Sequence, residues 1–336
     1  MTVTTATPPG TAGRPTRRIT ARPVEGQELA LIGVISVLWL TLGIVTDTFF
    51  TASNLQNILF GVAPVALIGI GMTAVIVTAG IDVSVGSGLA VAAVVVAKLI
   101  RDAELSSGLA LLAALAVGAL LGLLNGWIVA YGRIHPIIVT FGTLNVFRFV
   151  ALRIFDSKQI TGVPDSFAFL GGGEAGNTLG VPNAWWLAML LGALMWWYMR
   201  YAPTGRHLYA IGGDALAARL AGVRVTRRLV GVYVLTGALV GLAACVAIGS
   251  GGLVQQNIGI GLELEVIAAV VIGGTSIIGG RGTVLGTMLG ALLVGTITSA
   301  VTLLGWASEL TALFIGVFIL VAVGVDLLRE RRREAR

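Results

Sequence analysis

The residues able to do chemistry in this chain are few and scattered, and their spacing narrows what the protein can be. Its 2 histidines, His135 and His207, stand in separate polar segments with no cysteine or carboxylate at ligand spacing. Neither a zinc site nor a catalytic triad can be assembled from them. The single cysteine, Cys245, lies inside an apolar run and offers neither a disulfide nor a thiolate metal site. No G-x-x-x-x-G-K-S/T phosphate loop occurs, and the only lysines, Lys98 and Lys158, sit near the outer ends of apolar segments. ATP hydrolysis through a P-loop is therefore not expected of this chain. A membrane enzyme needs convergent catalytic groups, and no catalytic residue, metal ligand or cofactor-binding residue can be nominated.

What remains is polar chemistry without catalysis. Asp82, Glu263, Glu265, Arg148 and Arg153 stand at the ends of apolar runs, where they read as anchors and caps, whereas a proton or ion relay needs ionisable groups well inside. Asp82 suits the cap of a helix whose first turn holds Val83, Ser84 and Val85. Neutral polar residues are more suggestive: Asn125, Thr140, Thr143, Asn145, Thr73 and Thr78 all lie within apolar runs. They can hydrogen-bond a neutral polar solute along a route, or bond helix to helix; the sequence leaves both readings open.

A third feature is the polar stretch from Arg200 to Arg228, containing RHLYAIGGDALAARLAGVRVTRR. Asp214 reads as an N-cap, Ala215 to Ala221 as a two-turn helix, and Gly222 as its C′ stop. Leu216 and Leu220, four apart, share one face, with Ala218 and Arg219 between them. Such a helix suits either a groove on a soluble partner or the lipid headgroups.

The elements that position these residues are membrane helices. The chain is 56% hydrophobic and 11% charged over 336 residues, with a mean hydropathy of +0.95, so lipid is its solvent. A hydrocarbon layer about 30 Å thick takes roughly 20 apolar residues per helix. Candidate spans fall at 29–46, 56–79, 83–100, 109–130, 136–155, 184–200, 229–249, 263–275, 284–303 and 308–328. The expected fold is an all-α polytopic membrane domain over 29–328 with about ten spans, flanked by a disordered tail at 1–28 and a basic tail at 329–336. Most of the 22 basic residues then collect on one side, which places both termini inside the cell and reads the net charge of +6 as a topology signal rather than a nucleic-acid surface. The eighth span is short and must be tilted, broken or longer than drawn.

Glycine-rich breaks interrupt the apolar pattern at GIDVSVGS, Gly80 to Ser87, and at GGTSIIGGRGT, Gly273 to Thr283. Irregular backbone at membrane depth requires protein or a water-filled cavity around it, so each break is a candidate to line or hinge a pathway, with a plain turn outside the membrane as the other reading. On this basis Asp82 and Ser84 in the first break, and Gly274, Thr275 and Ser276 in the second, join Asn125, Thr140, Thr143 and Asn145 as pathway or hinge candidates. The breaks resemble one another, and TRR recurs at Thr16 and Thr226, hinting at a parallel repeat of spans 1 to 4 with spans 7 to 10.

The chain resembles the permeases of ribose- and xylose-type ABC importers, a group that includes permeases for other monosaccharides and for autoinducer-2. The resemblance runs from about Leu29 to Leu328 and is carried by VIVTAGIDVSVGS at Val75–Ser87, NGWIVAYGRIHPIIVTFGT at Asn125–Thr143, GRHLYAIGGDALAARLAGV at Gly205–Val223, and ELEVIAAVVIGGTSIIGGRGTVLGTMLGALL at Glu263–Leu293. It departs from the group's pattern at Ala79, Val83, Ile137 and Phe149. The resemblance implies a plasma-membrane permease paired with itself or a homologous chain. It also implies an ATPase partner that holds ATP and Mg, and an extracytoplasmic sugar-binding protein docking on the loop Asp156 to Asn183, with Asp165 and Glu174. Asp214, Ala215, Leu216, Ala218, Arg219, Leu220 and Gly222 then form the coupling helix. The alternatives are a branched-chain amino-acid permease and an ATP-independent secondary transporter.

Overall fold

The computed structural model describes residues 26–155, 159–161, 167–171, 176–249 and 253–334. Most of the expected N-terminal tail, Lys158, Asp165 and Glu174 of the outer loop, and the end of the basic tail lie outside the described residues. The chain begins with helices α1 (Gly26–Val45), α2 (Ala52–Val77), α3 (Val85–Ala103), α4 (Ser107–Gly132) and α5 (Pro136–Ile154). Short elements follow: strand β1 (Gln159–Thr161), helix α6 (Ala168–Gly171), and strands β2 (Asn177–Thr178) and β3 (Val181–Pro182). Then come α7 (Asn183–Tyr201), α8 (Pro203–Gly213), α9 (Ala215–Leu220), α10 (Val225–Gly249), β4 (Leu253–Gln255), α11 (Leu262–Ile272), α12 (Val284–Leu303) and α13 (Glu309–Glu334).

Each expected span coincides with a helix, and six of them, α1, α2, α4, α5, α10 and α12, are long and apolar enough to cross a membrane. The protein is an all-α polytopic membrane protein. Its strands only staple loops: β1 pairs antiparallel with β4, and β2 with β3. Helix α1 starts at Gly26, so residues 26–28, expected in the tail, are helical, and Glu28 is buried.

Helix α2 is the hub. Its apolar residues surround the whole helix rather than one stripe, which is the pattern of a helix enclosed by others. It packs against α7, α10, α11 and α12. At 26 residues it spans about 39 Å, and its start is fixed by the Thr51 hydroxyl, which accepts from Asn54 N–H at 3.3 Å.

In lipid there is little hydrophobic drive to bring helices together, so close packing must do it. Helices α4 and α10 show how. Gly118 and Gly122 lie four apart, as do Gly237 and Gly241, and each pair faces the other helix. A Cβ on Gly118 would collide with the Gly237 carbonyl, and one on Gly122 with the Tyr233 carbonyl. The backbones touch directly, and no larger residue fits.

The short eighth span resolves into the 11-residue α11, about 16 Å long, preceded by a non-helical approach. Val254 in β4 faces Ile160 in β1, both buried. The Arg148 guanidinium then donates to the Ile258 carbonyl at 2.9 Å, and Gly259 lies against the backbone of Gly86. These contacts hold part of the irregular backbone against protein, while Gln255, Asn257 and Ile260 stay exposed.

Candidate functional site

The first break closes on itself through one buried polar cluster. Asp82 Oδ1 accepts from Ser84 N–H at 2.9 Å and from the Ser84 hydroxyl at 2.6 Å. Asn125 on α4 donates to Ser84 Oγ at 2.8 Å and reaches Asp82 Oδ2 at 3.5 Å. Thr140 on α5 shares its hydroxyl proton between the Ile81 and Pro136 carbonyls, each at 3.0 Å. Asp82 is therefore not a cap with Val83 and Ser84 in the first helical turn. Helix α3 begins at Val85, Ser84 stands at its N-cap position, and Asp82 folds the two residues before it into an Asx turn. The cavity beside the cluster is about 10 Å³, room for no more than a water. In this conformation the cluster ties α4 and α5 to the break and lines no open path.

The second break is built on positive-φ glycines. Gly274 (φ +95°), Gly279 (+98°) and Gly280 (+73°) take conformations that side chains disfavour, so glycine is required to turn the chain sharply there. Ser276 N–H donates to the Arg281 carbonyl at 3.0 Å, while the Thr275 hydroxyl is buried with no partner among the described residues. The Thr283 hydroxyl accepts from Gly286 N–H at 3.0 Å, starting α12, and donates to the buried Glu28 carboxylate at 2.5 Å. The second break meets the entry to the first: Gly280 N–H donates to the Val77 carbonyl at 2.8 Å, at the last residue of α2, and Gly279 lies against Ala79, directly before Gly80.

Over this junction lies a two-helix hairpin, of which sequence reasoning foresaw only the second arm. Asp214 caps α9 as expected, its Oδ1 accepting from Leu216 N–H at 2.8 Å and Ala217 N–H at 3.0 Å. The helix ends with Gly222 at φ +85°, Gly222 N–H on the Arg219 carbonyl and Val223 N–H on the Ala218 carbonyl, both at 3.0 Å, which is a Schellman motif. Ala218 is buried against Ile211 and Val225, while Leu216 and Leu220 are 66% and 82% exposed on the outer side. Beside them Arg219, Arg224 and Arg227, with Tyr131, rim a cavity of about 310 Å³.

The first arm, α8, carries the contact to the breaks. Gly212 sits against the Val77 carbonyl and Gly280 N, where any side chain would collide. The Tyr209 hydroxyl donates to the Gly282 carbonyl at 2.9 Å. One hairpin thus touches the end of α2 and the second break together.

Asp82, Ser84, Asn125 and Thr140 are brought together at the first break, and Gly274, Thr275 and Ser276 lie in the second. Two candidates stand apart. The Thr143 hydroxyl bonds back to the Thr140 carbonyl at 3.3 Å, and Asn145, exposed on α5, donates to the Phe141 carbonyl of its own helix at 2.9 Å. Tyr209, Gly212 and Glu28 were missed, although Gly212 and Gly213 directly before the Asp214 cap were a signal of a tight junction.

A helical membrane bundle whose interrupted helices meet beneath an exposed two-helix hairpin is the build of a membrane permease. The chain belongs to the family described as branched-chain amino acid transport system / permease component, which it matches over residues 54–323. It is 38% identical to the ribose import permease protein RbsC of Escherichia coli over 89% of this chain and 91% of that one. It is 37% identical to the fructose import permease protein FrcC of Rhizobium meliloti, covering 83% and 79% of the two chains. The D-allose transport system permease protein AlsC of Escherichia coli is 32% identical over 84% and 86%. No solved structure matches the chain.

Proposed function

We propose that this chain is the membrane permease subunit of an ABC importer for a monosaccharide, with ten spans and both termini inside the cell. The observation that carries the reading is 38% identity over nine-tenths of the chain to a ribose import permease, with fructose and allose permeases among the other relatives. The subunit sits in the plasma membrane and pairs with a second permease chain. A binding protein delivers the sugar from outside, and ATP and Mg stay on a partner ATPase.

The α8–α9 hairpin is the coupling element. Leu216 and Leu220 offer the ATPase an exposed apolar pair, and Arg219, Arg224 and Arg227 supply flanking positive charge for acidic groups on that partner. A push on α9 moves α8 with it, because Asp214 joins the two helices directly. Through Tyr209 and Gly212 the push reaches both breaks, which reset α3 and α12. Transport is then a shift between two packings of the same helices, biased by ATP on another chain.

The family description favours one other reading, a branched-chain amino acid as the solute. Uptake in proteoliposomes holding the whole importer separates the two. The sugar reading expects ATP-dependent accumulation of labelled ribose, fructose or allose and none of leucine; leucine uptake without sugar uptake overturns it.

A further inference from the structure

Away from both breaks, the first turns of α2, the start of α11 and the C-terminal half of α12 enclose a groove of about 280 Å³. Asn54, Asn57, Glu265, Thr298, Ser299 and Thr302 put polar groups into it, over an apolar bed that includes Ile58 and Val62. The packing of α11 on α12 sets its depth. Gly273 meets Gly286 and Ala269 meets Gly290, so the same antiparallel register brings Glu265 level with Val294. Val294 is the middle of the 20-residue α12, and Thr302, near its end, stands about 12 Å higher. The groove thus descends from one membrane face to the mid-depth of the protein, with Glu265 at its floor.

Among the described residues the Glu265 carboxylate accepts no hydrogen bond and has no cation within ion-pair distance; its charged neighbour is Glu263. Glu265 is partly exposed to the groove, where water or a ligand hydroxyl can serve its carboxyl group and lipid cannot. The Asn57 amide, exposed at the mouth, is likewise uncommitted among the described residues. Asn54 accepts from the Ser299 hydroxyl at 3.0 Å, and the Thr298 and Thr302 hydroxyls donate to the Val294 and Thr298 carbonyls. The latter two hydroxyls therefore face a ligand as acceptors. Among the described residues no Lys, Arg or His lines the groove. An anion, or the α-carboxylate of an amino acid, would find no partner here.

We infer that this groove binds a neutral polyol, with Glu265 accepting hydrogen bonds from two adjacent hydroxyls and Asn57 closing on the ligand at the mouth. Charge-assisted bonds from a vicinal diol satisfy the carboxylate without a cation, and the bed of Ile58 and Val62 takes the C–H face of the ring. The volume lies near the lower limit, about 300 Å³, of small-ligand sites, which suits one monosaccharide. This deepens the importer reading and rests on its topology, in which the open end of the groove faces outward.

The test uses the full importer in proteoliposomes, with Leu303→Cys, a lining position that the proposed ligand contacts do not use, placed in a Cys245→Ala background so that one thiol of this chain reports from the groove. Ribose is expected to slow labelling of that thiol by a membrane-impermeant maleimide, and leucine is not. Glu265→Ala should cut ribose uptake about tenfold or more, the scale of one lost charge-assisted hydrogen bond, while Glu265→Gln keeps part of it and both retain the ATPase. If wild type imports sugar yet labelling ignores ribose and Glu265→Ala transports normally, the groove inference is overturned and the importer reading stands. Protection by leucine rather than ribose also overturns it. Absence of any sugar uptake by wild type removes the importer reading and the inference with it.

Discussion

The Tyr209 hydroxyl on α8 reaches across 73 residues of sequence to donate a 2.9 Å hydrogen bond to the Gly282 carbonyl in the second break. This is the point at which the exposed hairpin grips the interrupted membrane helices. A hydrogen bond of this kind is worth about 0.5–1.5 kcal/mol net, so Tyr209→Phe should leave folding and ATPase retention intact. It should lower transport several-fold while ATP hydrolysis continues. Measuring uptake and hydrolysis on one preparation checks this: parallel loss of both would mean that Tyr209 supports assembly rather than coupling.

Gly212 makes the closer contact. Its missing side chain is what lets α8 rest on the Val77 carbonyl and Gly280 N. Gly212→Val should separate the hairpin from the breaks at an overpacking cost of about 1–3 kcal/mol. The expected result is a protein of lowered melting temperature that transports nothing, whereas Gly213→Ala, where a Cβ meets nothing within 4 Å, should behave like wild type.

The α9 cap and its glycine stop were legible in the sequence because short-range chemistry decides them. Asp214 needs only the amides of Leu216 and Ala217, and Gly222 needs only its own φ. The membrane helices were legible for a similar reason, since an apolar run declares its solvent. What escaped was anything set by partners far along the chain. Helix α8 carries Gly205, Gly212 and Gly213, which read as loop until Gly205 is seen against Met199 and Gly212 against α2. Asp82 read as a cap because the sequence does not reveal that Asn125, 43 residues away, closes over it. Glu265 does stand in the first turn of α11, where it was expected; its level in the bundle was not legible, because that depends on where α11 sits against α12.

Tyr233 offers a test of the buried cluster. Its side chain is 1% exposed, and its hydroxyl, beside Gly80, has no hydrogen-bond partner among the described residues. An unsatisfied buried hydroxyl costs about 1–3 kcal/mol, so Tyr233→Phe should leave thermal stability in detergent unchanged or raise it. Asn125→Leu strips Ser84 and Asp82 of a donor and should lower the melting temperature. The reverse order would mean that the cluster is wired differently.

The glycine seam between α4 and α10 admits a simple perturbation. Gly122→Leu would drive a side chain into the Tyr233 carbonyl and should destabilise the bundle by about 1–3 kcal/mol or more. At Gly108, where nothing lies within 4 Å of a Cβ, a leucine should be tolerated. Detergent melting curves of the two variants decide the matter.

The most direct test of the whole account is co-purification of the permease with a sugar-type ATPase, comparing wild type with the double variant Leu216→Asp, Leu220→Asp. Both leucines point away from the bundle and are mostly exposed, so the variant should remain folded and in the membrane. The double variant is expected to lose the ATPase and all ATP-driven uptake. Retention of the ATPase at wild-type level by the folded double variant would contradict the assignment of the α8–α9 hairpin as the coupling element.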